Sequence, residues 1–110
     1  MIPGADDDAV WRALSDPTRR AILDLLRERS RTTGDIAGHF EVTRYATMKH
    51  LTVLHEAGLI RIERRGRERL NHLNPTPIQR IYRRWIQPFE AAAADVVLRL
   101  QQHVEDQEDP

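Results

Sequence analysis

Apolar residues in this chain recur at helical spacing, then by alternation, then at helical spacing again. Over Asp6 to Ser15, Val10, Trp11 and Leu14 make one apolar stripe of a short helix. Asp6, Asp7 and Asp8 sit at its start, where the helix dipole favours negative charge. Ser15-Asp16-Pro17-Thr18 opens a second helix: Asp16 is a capping side chain and Pro17 suits the first helical position. Ile22, Leu25 and Leu26 form its buried face, and the charged run 27–31 marks its end. Thr32 or Thr33 caps a short third helix with Asp35 in its first turn and Ile36, Ala37 and Phe40 inward. After a turn at Glu41-Val42, Thr43 caps a fourth helix over about 43–57, which Gly58 ends as a left-handed cap residue.

Beyond Gly58 the period becomes two. Leu59 to Glu63 alternates as a strand, Arg64 to Arg67 reads as a hairpin tip centred on Gly66, and Arg69 to Leu73 returns. Asn74-Pro75-Thr76-Pro77 then breaks the sheet and begins a long helical region over about 76–104. Ile78, Ile81, Tyr82, Trp85 and Ile86 share one face of it, and Phe89, Ala92, Ala93, Val96, Val97 and Leu100 continue the stripe. Pro88 should kink or interrupt this helix near Gln87, and the acidic tail 105–110 should fray.

These elements predict a mostly helical fold with a small β-hairpin, arranged as a winged helix-turn-helix in one domain over 1–110. A short helix and a longer one joined by a tight turn is the helix-turn-helix arrangement, whose second helix reads the DNA major groove. At 100° per residue, Thr47, Leu51 and Leu54 turn inward while Arg44, Tyr45, Met48, Lys49 and Thr52 turn outward. Arg44 suits the guanine acceptors, Lys49 and His50 suit phosphates, and Tyr45 and Met48 offer apolar contact to thymine methyls. Thr43 offers its hydroxyl or its N–H to a phosphate at the helix start. In the wing, over about 59–73, Arg64, Arg65, Arg67 and Arg69 cluster round Gly66 as a ribbon for a DNA backbone or minor groove.

Charge sharpens this picture. The formal net charge of zero hides a basic middle: residues 42–84 carry nine arginines and one lysine against three glutamates, a net +7, between acidic flanks. The basic stretch contains both the reading helix and the wing, so double-stranded DNA is the expected partner. With no cysteine, disulfides, thiolate metal sites and a thiol nucleophile are excluded. His39, His50, His55, His72 and His103 are scattered without a tight carboxylate cluster, so no metal site is expected. Glycine-rich phosphate loops and a nucleophile elbow are absent, so neither a catalytic site nor a cofactor is expected. There is no leader-like start and no run of about 18 apolar residues, which points to the cytoplasm and to no membrane partner.

Three stretches together, ALSDPTRRAILDLL (13–26), VTRYATMKHLTVLHEAGLI (42–60) and RRGRERLNHLNP (64–75), resemble the ArsR/SmtB family of bacterial winged-helix repressors. The resemblance spans roughly residues 9–100. It implies a homodimer built on the first and last helices, with Trp11, Leu14, Trp85, Phe89, Val96 and Leu100 as interface candidates, bound to a palindromic operator. By position, Thr43, Arg44, Tyr45, Thr47, Met48, Lys49 and His50 match the family's DNA-reading segment, where Met48 replaces a small hydroxyl residue. Many members release DNA on binding metals through cysteines on the helix equivalent to 33–40 or through paired ligands on the last helix. Here Thr33-Gly34-Asp35-Ile36-Ala37 has no cysteine, and Asp95, His103 and Glu105 lack the paired spacing. The chain therefore reads as a member without the known metal sites and with an unknown effector. The alternative is a metal- or small-molecule-responsive repressor using histidine and carboxylate ligands.

Overall fold

In the computed structural model, which describes residues 7–108, four helices precede the hairpin. These are α1 (Asp8–Leu14), α2 (Pro17–Glu28), α3 (Thr33–Phe40) and α4 (Arg44–Glu56). A short strand β1 (Arg31–Thr32) lies between α2 and α3, and the hairpin β2 (Ile60–Arg65) and β3 (Glu68–Leu73) follows α4. Then come α5 (Thr76–Ile81), a π-helical turn (Tyr82–Ile86) and α6 (Gln87–Glu108). Mostly helical with a small antiparallel hairpin, this is the expected winged helix-turn-helix order. By internal contacts the chain divides into two compact units, one up to Ile78 and one from Gln79, where the sequence reading has one domain.

The capping signals act as read. Asp16 accepts the Arg19 N–H at 3.0 Å with Pro17 at the first helical position, Thr32 rather than Thr33 accepts from Asp35, and Thr43 accepts from Ala46 at 3.0 Å. Asp7 holds the cap position of α1, and Asp8 is in its first turn; the expected Asp6 lies outside the described residues. At the end of α4, Gly58 takes φ +76°. Its N–H donates to His55 C=O and the Leu59 N–H to Leu54 C=O, the paired bonds of a Schellman cap, with Leu54 and Leu59 both buried beneath it. The turn between α3 and α4 is made by Glu41, a non-glycine at φ 54°, after which the Val42 N–H returns to Ala37 C=O. That reversal is what lets α3 and α4 pack on each other.

In the first unit α4 packs on α1, α2, α3 and β2. Val10, Ala13, Ile22, Leu25, Leu26, Ile36, Ala37, Leu51, Leu54, Leu59 and Ile60 are buried, as apolar side chains at these spacings require. On α1, Val10 and Ala13 are the buried residues, while of the rest of the apolar stripe Trp11 is 45% exposed and Leu14 is half-buried. The strand β1 is an addition to the reading: Arg31 pairs with Asn71 and Thr32 with Leu70, making a three-stranded sheet in the order β1-β3-β2. Pairing Arg65 with Glu68 leaves Gly66 and Arg67 as the whole loop. Positive φ at Gly66 alone suits a type II′ turn. The tip is therefore two residues, and Arg64, Arg65 and Arg69 belong to the ladder.

The second unit departs from regular helix before Pro88 rather than at it. The Gln87 N–H donates to Tyr82 C=O, five residues back, and the widened turn spans Tyr82–Ile86. Proline has no N–H and its ring crowds the carbonyl four residues earlier, so loosening the preceding turn relieves the clash while the helix continues. Across this turn the Tyr82 hydroxyl donates to Glu90 at 2.6 Å, which raises the Tyr82 pKa. The helix runs to Glu108, through much of the tail expected to fray; residues 109–110 lie outside the described part. Phe89, Val96, Val97, Leu98, Leu100 and Val104 are all exposed along α6.

Candidate nucleic-acid interface

The helix α4 divides as angle predicts. Thr47, Leu51 and Leu54 are buried, and Arg44, Tyr45, Lys49 and Thr52 are exposed. Tyr45 is 70% exposed, too open to be a packing residue, and Lys49 Nζ lies 4.7 Å from the centre of its ring. Thr43 already accepts the Ala46 N–H, which leaves its O–H to donate outward. At the first turn of α4 the Arg44 and Tyr45 N–H groups precede the first intrahelical bond, so the helix start presents donors to an anion.

Two expected contact residues do not lie on this face. Thr47 has no exposed surface, and its hydroxyl donates to the Thr43 carbonyl at 3.0 Å, so it is a core residue beneath the helix start. His50 turns toward the start of α2 instead: its Nδ1 is 3.9 Å from Asp16 Oδ2 and 3.4 Å from Arg19 Nη1. The Arg19 backbone N–H, then the Arg19 and His50 charges, hold the Asp16 carboxyl below the usual carboxylate range. Arg19 also donates from Nε to Ala13 C=O and from Nη2 to Arg12 C=O, each at 2.9 Å, tying the end of α1 to α2.

The wing has two chemically different faces. Directly paired residues share a face, so Ile60, Ile62, Arg64, Arg69, Asn71 and Leu73 lie on one side of the hairpin. Arg61, Glu63, Arg65, Glu68, Leu70 and His72 lie on the other. Asn71 fixes which side meets the helices: it is 1% exposed, and its Nδ2 donates to Arg31 C=O and Thr33 Oγ1, both at 3.2 Å. On the opposite side Glu63 accepts from Arg65 Nε at 3.0 Å and lies 2.9 Å from His72 Nε2, and Ser30 Oγ lies 2.6 Å from His72 Nδ1. The His72 bond, then the Arg65 bond, lowers the Glu63 pKa. Arg65 is thus neutralised on the far side of the wing.

The helix side is different. Thr33, Arg44, Met48, Arg67 and Arg69 line one cleft of about 230 Å³. Reading helix and wing thus meet at a single concave basic surface within the first unit, with Met48 as its apolar wall. Sequence offers Thr33 only as a possible cap, and nothing local marks Asn71 as a tie. Among the described residues no three histidine or carboxylate side chains come together to hold a metal ion. On α6, Asp95 pairs with Arg99 at 2.9 Å.

Residues 16–61 match the family described as bacterial regulatory protein, arsR family. The chain is 44% identical over 70 residues to the transcriptional repressor SdpR of Bacillus subtilis strain 168, covering 64% of this chain and 78% of that protein. It is 37% identical over 91 residues to the HTH-type transcriptional regulator YuzN of the same organism, covering 73% of this chain and 95% of that one. An ArsR-like transcriptional regulator from Rhodococcus sp. RHA1 superposes with a TM-score of 0.71 at 28% identity, over 97% of this chain and 94% of that one.

Proposed function

This chain belongs to the arsR family of bacterial regulatory proteins, a family of DNA-binding transcription regulators, and on that premise we propose that it represses transcription as a homodimer on a palindromic operator. The observation that carries the reading is the shared basic cleft of α4 and the wing. Arg44 and Tyr45 meet base edges in the major groove, and Thr43 and Lys49 hold phosphates. Arg64, Arg67 and Arg69 follow the backbone beside it. Thr47 supports the helix start from below, and Arg65 and His50 serve the fold.

The homodimer is supported by the apolar residues left exposed on α1 and α6: Trp11, Phe89, Val96 and Leu100 are each 45% exposed or more. A two-fold dimer presents two reading helices, and palindromic half-sites follow from that symmetry. The chain works in the cytoplasm, where its DNA is; among the described residues no helix is long and apolar enough to cross a membrane.

Gel-shift titrations test the assignment. Arg44→Ala should relax discrimination between operator and mutated operator, with a cost of about 1–3 kcal/mol on the cognate site. Arg67→Ala should weaken all sequences alike and lower the salt slope by about 1. Unchanged binding in both variants would reject the assignment.

A further inference from the structure

The cleft between α4 and the wing is set up for an anion even before DNA arrives. Arg44, Arg67 and Arg69 line it, and among the described residues none of the three has a carboxylate partner, in contrast to Arg65 with Glu63 across the sheet. Arg69 also stands directly opposite Arg64 in the ladder, a like-charge pair that is unfavourable until something negative sits beside it. Arg44 is laid back over the start of α3: its Nη2 lies 3.6 Å from where a Cβ on Gly34 would be. The cleft holds about 230 Å³. At about 30 Å³ per water that is roughly seven or eight waters, enough for a tetrahedral oxyanion with part of its hydration shell. Guanidinium groups offer planar forks of donors matched to phosphoryl oxygens.

We propose that this cleft is a phosphoryl seat: it takes one backbone phosphate in the DNA complex, and a free phosphate-bearing small molecule competes with DNA for the same place. The backbone phosphate and the competition rest on the DNA-binding reading above; binding of a free phosphoryl anion in the cleft does not. The consequence is regulatory. DNA binding responds to the concentration of a phosphoryl anion beyond its contribution to ionic strength, through residues that no metal-sensing chemistry involves.

The test begins with the full chain free of DNA, titrated calorimetrically with inorganic phosphate while sodium chloride keeps ionic strength constant. One saturable site per chain is expected, weakened at least tenfold in Arg69→Gln and in Arg67→Gln, and unchanged in Arg27→Gln on the outer side of α2. Arg67 sits in the exposed turn, so its variant keeps the seat testable should Arg69→Gln fail to fold. No saturable phosphate binding, or binding indifferent to both cleft variants, overturns the seat while leaving DNA binding to be judged separately by gel shift. In the second arm, phosphate should weaken DNA binding more than chloride at equal ionic strength in the wild type, and no more than chloride in Arg67→Gln. Equal effects of the two anions in the wild type overturn the competition. For the DNA source, neutral methylphosphonates are placed one at a time along a bound fragment. One position should show no further loss in Arg67→Gln; additive losses at every position overturn the claim that a backbone phosphate uses the seat.

Discussion

Replacing Asn71 removes a side chain that joins β3 to both β1 and the start of α3. Its Nδ2 donates to Arg31 C=O and to Thr33 Oγ1, in a place where Asn71 and Thr33 are both buried. Asn71→Ala leaves two acceptors without their donor, at about 1–3 kcal/mol each. One gain offsets this: Asn71 Oδ1 has no partner among the described residues, and truncation removes that cost as well. The balance is a destabilisation of about 2 kcal/mol, or a fall in Tm of roughly 8–16 °C for a chain of this size. Asn71→Leu separates the hydrogen bonds from the packing, since it restores volume but no donor. Circular dichroism melts at one fixed chain concentration measure both, because association would add its own stabilisation. Both variants should melt well below the wild type, and both should bind DNA more weakly with an unchanged salt slope, since no charge is lost. A leucine variant as stable as the wild type would refute the reasoning, showing that Asn71 fills space and ties nothing.

Asp16 contributes a pH-dependent share of stability. Its folded pKa lies below its unfolded value, so the contribution is complete above the unfolded carboxyl value of about 3.9 and is lost as pH falls through the lower folded one. Asp16→Asn keeps a capping acceptor and should flatten the acid limb of a pH–stability curve, whereas Asp16→Ala should also cost about 1 kcal/mol at neutral pH. The two left-handed turn residues should respond with opposite signs in urea denaturation. Gly58→Ala should lose about 1–2 kcal/mol, because its φ of +76° is strained for any side chain even though a Cβ would meet Pro77 only at an ordinary 3.7 Å. Glu41→Gly relieves similar strain at φ 54° and gives part of it back as unfolded-chain entropy, for a net gain of about 0.5–1 kcal/mol.

What the sequence made legible was local. Asp16, Thr43 and Gly58 announce helix ends because capping chemistry needs only neighbours within a few residues, and the inward set on α4 follows from angle alone. What it hid was made by pairing at a distance. The strand β1 is two residues long, too short for any period, and exists because Arg31 and Thr32 meet β3 some forty positions later. Four arginines round Gly66 look equivalent in sequence; the ladder register puts Arg65 with Glu63 on one face and Arg69 on the other, where it lines a cleft with Arg44 of α4. Thr47 shows a conflict within the reading: its angle places it inward while the resemblance places it in the DNA-reading segment, and burial decides for the angle. His50 points to Asp16 and Arg19 for a similar reason, because α2 packs beside α4 and supplies polar partners nearer than solvent.

The central claim is that α4 and the wing together read a particular DNA sequence. Its most direct measurement is selection of genomic DNA fragments by the purified full chain, with the bound fragments sequenced. A shared inverted repeat is predicted, with half-site centres about 10 base pairs apart or a multiple of that, and enrichment falling sharply with Arg44→Ala. No enriched sequence from a folded, dimeric preparation, or a repeat recovered equally by the Arg44→Ala variant, would contradict it.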